Sequence, residues 1–544
     1  MPGPAVPSAN RPVAMGVDGM VTSANPLASQ AGVQVLAEGG NAFDAAVATA
    51  ATLSVVEPYM SGLGGIGLAL VYIAAEDRVR TLNFSGRAPG LAEPDRFTVE
   101  TRQHGVLAPL VPGNVAGWLT LHRTYGSLDR QRLFRPAVSY AENGAPITLN
   151  NSRAMARAAP RLAAFPSGAI ILDESGRAPG PGSRLRMPQL AKSLRSIAEH
   201  GEETFYRGEL AEGIVKGNRE LGGLYTLDDF EDYGVQWGEP IRIGYRGFEI
   251  NGHPPNSSGF QILQTLKLIE GLDEPRFQHP DSLHVFMEAV KLCVADRIKY
   301  AGDPDHVDVP VDGLLSEAYA AQQRGRIDRG SAASVSGERY ASTVLPESLT
   351  PGSPEEFDGG MTTHFAVADR DGNVVSITQT LGGGFGSGVA VGDTGIFLNN
   401  MSSWFDLEEG SPNRIGPRKR VDFVVSPTQT FKDGKLFLSI GTPGSWGILQ
   451  TTPQMIVNVL DHGMNIQEAI EAPRFRCYEG TRVQMEERFP VHLRRALGDL
   501  GHEVDVIEAW SGSVGGAQGI VLDRDSGVLQ GGADPRRDGY AIGL

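Results

Sequence analysis

A break in patterning near residue 361 divides this chain and limits how it can fold. Residues 325–360, which include SAASVSGERYASTVLPESLTPGSPEEFDGG, are rich in Ser, Pro, Gly and Glu and read as a long exposed linker. Directly after Gly359-Gly360 the pattern turns to β-formers. Thr363–Asp369 and Asn373–Thr380 are two strand-like runs around Asp371-Gly372, a strong hairpin signal. Upstream, about 115–300 reads mainly helical, with helices over Gly117–Tyr125, Gln189–His200 and Ser282–Tyr300. The chain therefore splits into 1–361, large and helix-rich, and 362–544, smaller and strand-rich.

The amino-terminal part has its own punctuation. Residues 1–17 are rich in Pro, Ala and Gly and predict a loose arm. Asn25-Pro26 reads as N-cap and first helical position, Leu27, Val33 and Leu36 share a face, and Gly39-Gly40 ends that helix. Asn41 starts a second helix to about Val56, whose Ala and Val content predicts burial. Gly62, Gly64, Gly65 and Gly67 lead into a buried strand. They precede a strand rather than a helix and lack a GK[ST] continuation, which argues against a phosphate loop.

The junction itself carries chemistry. A threonine hydroxyl is a weak nucleophile without an adjacent base, and one solution is the threonine's own α-amino group, freed by cutting the preceding bond. A glycine pair upstream of Thr362 permits the strained backbone that an N→O acyl shift needs. With Asp371 at the hairpin centre, residue 362 falls opposite residue 380, and both are threonine. A bulge would move this register by one, and the same residues are also ordinary β-formers. Further on, Gly441, Pro443, Gly444 and Ser445 follow a strand over Lys435–Ile440, with a helix beginning near Thr452-Pro453. Exposed N–H groups in such a turn can hold a developing oxyanion, and a plain strand-to-helix turn is the alternative.

Composition excludes other classes. With 48 basic and 64 acidic residues the formal charge is −16, which disfavours nucleic acid and anionic membranes as partners. Cys293 and Cys477 are too few for a disulfide framework or a four-cysteine zinc site and predict two buried reduced thiols. No run of 18 apolar residues predicts a membrane span, and no basic, apolar leader is visible, so a cytoplasmic location is expected. His284, Glu288 and Lys291 share one helical face, which reads as structural rather than as a metal site. Neither a metal nor a cofactor is expected.

Many segments together resemble the γ-glutamyltransferase family of N-terminal-nucleophile hydrolases. They include ASQAGVQVLAEGGNAFDAAVA, VEPYMSGLGGIG, GHPPNSSG, HVFMEAVKLCVADR, MTTHFAVADRDGNVVSITQT, GTPGSWGILQT and GGADPRRDG. The resemblance implies an α/β fold, the four-layer αββα sandwich. It also implies a precursor that cuts itself into a large and a small subunit that stay associated; a dimer of such heterodimers stays open. It makes Met361–Thr362 the scissile bond, residues of about 325–361 the processing linker and Thr362 the nucleophile. By the same resemblance Thr380 hydrogen-bonds the nucleophile's amino group, and Gly444 and Ser445 hold the oxyanion positions, usually two glycines.

The departures from the family pattern concern the substrate. The arginine that the family places before its Ala-Pro pair falls near Ser85, with Arg87 two residues later. An asparagine becomes Gly382, a glutamine and an aspartate become Met401 and Trp404, and paired serines become Phe423 and Val424. Breaking one buried charge pair costs about 2–5 kcal/mol, so glutamyl transfer is disfavoured. The expected pocket is apolar, lined by Met401, Trp404, Phe423 and Val424, with Arg87 as an anion anchor or, alternatively, a surface ion-pair residue. The expected activity is a threonine amidohydrolase or acylase acting through an acyl-enzyme on a small, carboxylate-bearing acyl amide. The open alternatives are a γ-glutamyl transferase or hydrolase with an altered pocket and a C–C bond hydrolase of a secondary-metabolite pathway.

Overall fold

The structure is a computed structural model that describes residues 9–271, 276–334, 361–478 and 480–544. Fourteen strands build its two main sheets. In chain order they are β1 (Ala14–Gly16), β2 (Gly19–Ser23), β3 (Ile66–Ile73), β4 (Arg78–Phe84), β5 (Gln236–Gly238), β6 (Ile241–Tyr245) and β7 (Phe248–Gly252). There follow β8 (Met361–Asp369), β9 (Val374–Gly382), β10 (Thr428–Lys432), β11 (Lys435–Gly441), β12 (Gln518–Leu522), β13 (Leu529–Ala533) and β14 (Tyr540–Gly543). One sheet runs β1-β13-β12-β11-β10-β7-β6 and the other β14-β2-β8-β9-β3-β4-β5.

The sheets pack face to face through Met20, Leu70, Val374, Ala366 and Ala368 of one and Leu436, Ile520 and Leu529 of the other. Helices cover both outer faces, giving the four-layer αββα sandwich. On one side lie α1 (Pro26–Ala37) and α2 (Ala42–Val56). On the other lie α3 (Phe260–Glu270), α4 (Pro280–Tyr300) and α5 (Ile448–Leu460).

The first two helices follow from their caps. Asn25 Oδ1 accepts from Leu27 N–H, and Pro26 occupies the first turn, where an N–H has no intrahelical partner. Gly39 ends α1 at φ +92°. Asn41 and Asp44 form a reciprocal capping box for α2, and all fifteen residues of that helix are buried. Small residues make this possible: a Cβ at Gly32 of α1 would lie 2.4 Å from Thr49 Oγ1 of α2.

The structure corrects several local expectations. Residues 14–16 pair with β13, and Asn10 N–H donates to Glu471, so residues 9–17 are not a loose arm; residues 1–8 lie outside the described set. The stretch read as mainly helical contains β5, β6 and β7; β5 and β6 lie at sheet edges, which makes their alternation weak. Both sheets mix strands from either side of residue 361, so the two segments build one fold. The helix after the 441–445 turn begins at Ile448, not near Thr452-Pro453. Proline is tolerated inside that helix while the Thr451 and Thr452 hydroxyls donate to the carbonyls of Gly447 and Ile448. Of the linker expected over 325–360, residues 335–360 lie outside the described residues. In the preceding piece residues 325 and 329–331 are exposed, but its end is anchored: Ala333 is 5% exposed, and its N–H and C=O are held by Glu288 and Lys291.

Candidate active site

The hairpin β8–β9 places Thr362 opposite Thr380, the register expected from the sequence, with His364 opposite Thr378 on the next rung of the same face. A bulge adds one residue at the open end. Met361 pairs with Gly382, leaving Leu381 without an opposite number.

This bulge folds the backbone around the Thr380 hydroxyl. Thr380 Oγ1 donates to Met361 C=O at 2.7 Å, accepts from Gly382 N–H at 2.7 Å and accepts from Thr362 Oγ1 at 3.2 Å. One donor and two acceptor sites are thus all used. Both threonines are buried, 4% and 2% exposed. The Thr362 hydroxyl therefore directs its proton to Thr380 Oγ1.

Neighbouring side chains extend the network. Thr363 Oγ1 donates to Glu57 Oε2 at 3.3 Å on the opposite, helix-facing side of the strand. Burial pushes the Glu57 carboxyl up to about 7, opposed by the charge of Arg537. His364 Nδ1 lies 2.7 Å from Thr378 Oγ1, and burial pushes this imidazole down to about 3, so it is neutral.

Gly444 and Ser445 sit in the turn after β11 at φ +140° and +55°. Glycine suits the first; the second places a serine in the left-handed region, with the side chain 3% exposed. The turn is braced by Gly516 N–H donating to Thr442 Oγ1 and by Gly447 N–H donating to Gly444 C=O. These bonds do not use the Gly444 and Ser445 N–H groups, so the turn can present both to an anion.

Met401 and Trp404 belong to one short 3-10 turn, Met401–Trp404. Met401 is fully buried at the end of β9, where a Cβ at Gly382 would lie 3.1 Å from its Sδ. Met401 and Phe423 share an apolar cluster with Ile66, Leu68 and Phe405, and Trp404 packs against it. Val424 faces away and packs instead with the helices outside the other sheet, because consecutive residues of an extended segment point to opposite sides. Trp404 also packs against Trp446, one residue after Ser445, with ring centroids 4.7 Å apart and planes tilted by 40°. An indole pair thus joins the 401–404 turn to the 444–446 turn. Sequence reasoning did not single out Trp446, Glu57 or His364, although the i, i+2 spacing of Thr362 and His364 marks a common face.

Arg87 lies next to Ala88, a member of the cluster of Met401 and Phe423, with its side chain 30% exposed. It pairs with Asp305 at 3.2 Å and donates to the Arg418 carbonyl at 3.1 Å. Ser85 is buried and hydrogen-bonds Asn256. Both cysteines are buried free thiols, and burial pushes Cys477 up to about 12.

The polar face on α4 is buried rather than solvated. Ligand-type atoms of His284, Glu288 and His502 lie within 4.8 Å of one another. Glu288 is already bonded to Lys291 Nζ at 2.8 Å, and the two imidazoles are bonded to each other at 2.9 Å. An ammonium in the same pocket opposes a cation, so this donor set is a poor metal site. No helix among the described residues is long and apolar enough to cross a membrane.

The family model described as Gamma-glutamyltranspeptidase matches residues 28–544. The glutathione hydrolase-like YwrD proenzyme of Bacillus subtilis (strain 168) is 38% identical over 542 residues, covering 97% of this chain and 99% of that protein. The acylase ACY 1 proenzyme of Pseudomonas sp. (strain V22) is 37% identical over 547 residues, covering 98% and 94%. Among solved structures, the cephalosporin acylase from Bacillus halodurans has a TM-score of 0.90 at 35% identity, covering 100% of this chain and 99% of that one.

Proposed function

Because this chain belongs to the gamma-glutamyltranspeptidase family of N-terminal-nucleophile hydrolases, we propose that it is a self-processing threonine amidohydrolase that releases a small, carboxylate-bearing acyl group from an amide. The family membership and the proenzyme relatives make it a hydrolase of the amidohydrolase and acylase kind; the nucleophile, the scissile bond and the substrate class are this reading's own.

The observation that carries the reading is the Thr380 hydroxyl. Its proton lies on the carbonyl of Met361, and it also receives the proton of Thr362 Oγ1. In self-cleavage Thr362 Oγ1 adds to the Met361 carbonyl carbon, and Thr380 stabilises the oxyanion that forms. Collapse, with the hydroxyl proton of Thr362 passed to the departing nitrogen, breaks the Met361–Thr362 C–N bond and leaves an ester. Water hydrolyses that ester, giving the Met361 carboxylate and a free Thr362 α-amine.

In turnover the amine takes the Thr362 hydroxyl proton as Oγ1 attacks the substrate carbonyl, and it returns that proton to the leaving amine. The Gly444 and Ser445 N–H groups hold the oxyanion. Water then releases the acid.

The substrate class rests on the apolar replacements. Gly382, Met401, Trp404 and Phe423 stand where the family places polar groups for free glutamate, and an apolar wall leaves an ammonium without partners, whereas Arg87, next to Ala88 of the same cluster, takes the substrate carboxylate in exchange for Asp305. The acylase relatives favour the same direction. A γ-glutamyl hydrolase with a rebuilt pocket is the second reading, favoured by the glutathione hydrolase-like relative.

Denaturing electrophoresis with amino-terminal sequencing tests the mechanism: a fragment beginning Thr-Thr-His-Phe is expected, and one intact active chain refutes it. Mass spectrometry of the trapped acyl-enzyme separates the acyl readings. Turnover of a γ-glutamyl anilide above that of a glutaryl anilide favours the second.

A further inference from the structure

We propose that His364 is a positioning residue whose ring sets the gap between the strand carrying Thr362 and the turn carrying Gly444 and Ser445, with Gly441 as the surface it bears on. The inference rests on the reading of Thr362 as nucleophile. His364 is two residues beyond Thr362 on β8, so both side chains leave the same face. That face is the one turned to the second sheet, because Ala366 and Ala368, next in the alternation, pack there against the other sheet's Leu436 and Ile520.

Two contacts hold the ring. On its own sheet it is bonded to Thr378, its registered partner, at 2.7 Å. On the other side it abuts the backbone of Gly441, the last residue of β11. A Cβ there would lie 2.4 Å from His364 Cε1 and 2.6 Å from Nδ1, closer than side-chain carbons pack. Gly441 is paired in turn with Gln518 of β12, which limits sideways sliding of the strand.

The imidazole is therefore a spacer across the sheet interface. Thr362 and Thr380 form the rung above it on one sheet, and the oxyanion turn springs from the residue it touches on the other. Burial holds the imidazole down to about 3, so the ring is uncharged near neutral pH. The absence of a side chain at 441 is what lets the two sheets close to this distance. A shift of about 1 Å between reacting groups is enough to slow a reaction about 10²-fold.

The test compares full-length wild type, His364→Ala, Gly441→Ala and the double variant. Self-cleavage at Met361–Thr362 is followed on denaturing gels. Hydrolysis of glutaryl 4-nitroanilide gives kcat and KM, and thermal midpoints are recorded alongside. Gly441→Ala in the wild-type background is expected to slow self-cleavage about 10²-fold. The same methyl in the His364→Ala background is expected to change the rate by less than about threefold, because the ring it would strike is gone. His364→Ala alone is expected to lower kcat about tenfold or more, with KM within about threefold.

Equal losses from the methyl in both backgrounds overturn the proposal. So does a His364→Ala variant that loses thermal stability while both rates stay within about threefold of wild type. If Gly441→Ala does not fold, the double variant decides against His364→Ala: an equal or faster rate supports the spacer, and a further loss of about 10²-fold overturns it. Failure of the underlying reading looks different, since wild type itself would then not yield a fragment beginning at Thr362.

Discussion

Replacing Thr380 with valine removes one hydroxyl and leaves the side-chain volume nearly unchanged. That hydroxyl donates to Met361 C=O and accepts from Gly382 N–H, each at 2.7 Å, at a site 2% exposed. Each buried partner left unsatisfied costs about 1–3 kcal/mol. The Thr362 hydroxyl loses its acceptor as well, so three orphaned groups lower folding stability by about 3–9 kcal/mol, which for a chain of this length lowers the thermal midpoint by about 3–8 °C. The kinetic effect is larger. Loss of one donor to a developing oxyanion slows reaction about 10²–10³-fold, and self-cleavage of Thr380→Val should slow by that amount. Thr380→Ser keeps the hydroxyl and should cleave within about tenfold of wild type. The assay is a denaturing-gel time course on freshly refolded precursor at a temperature well below either midpoint. A valine variant that cleaves within about threefold of wild type removes Thr380 from the chemistry and refutes the argument.

Thr362→Ala should leave one uncleaved band and no hydrolysis, and cleavage directly after Met361 in that variant would assign the nucleophile elsewhere. Trp446→Ala removes an indole that packs against Trp404, so KM for a glutaryl anilide should rise about three- to tenfold while self-cleavage is unchanged; an unchanged KM excludes the indole pair from the acyl pocket. Glu57 has its carboxyl pushed up to about 7 from 4.5, so its contribution is fully present below pH 4.5 and is lost as pH rises through 7. Relative to wild type, Glu57→Gln should gain about 3 kcal/mol between pH 4.5 and 8, read from thermal midpoints, and a flat difference would contradict the buried carboxyl. Burial lowers His253 to about 4 from 6.5, the opposite sign: its stabilisation is present above pH 6.5 and lost as pH falls through 4, so His253→Gln should flatten acid unfolding in that window, measured by circular dichroism.

Much of this site was legible because it is local. The hairpin register that sets Thr362 against Thr380 follows from equal distances to Asp371, and a turn of fixed length leaves few alternatives. The caps at Asn25 and Asn41 act within three residues, so they too could be read in advance. The Leu381 bulge was not readable, since its cause is the hydroxyl that Met361 and Gly382 both reach. Strands at sheet edges, such as β5, carry little alternation and were missed.

Distant partners set the remainder. Arg87 meets Asp305, 218 positions along the chain, and no spacing rule links them. Val424 turns from the cluster that holds Met401 while Phe423 stays in it, because the segment crosses between two apolar clusters. Glu57 reaches Thr363 over 306 residues, and Gly441 is a glycine because His364 already fills the space a side chain would need. Backbone and near-neighbour forces decay within a few residues and leave their mark in local order along the chain. Contacts across the two sheets depend on where whole strands come to rest, which only the packed molecule decides.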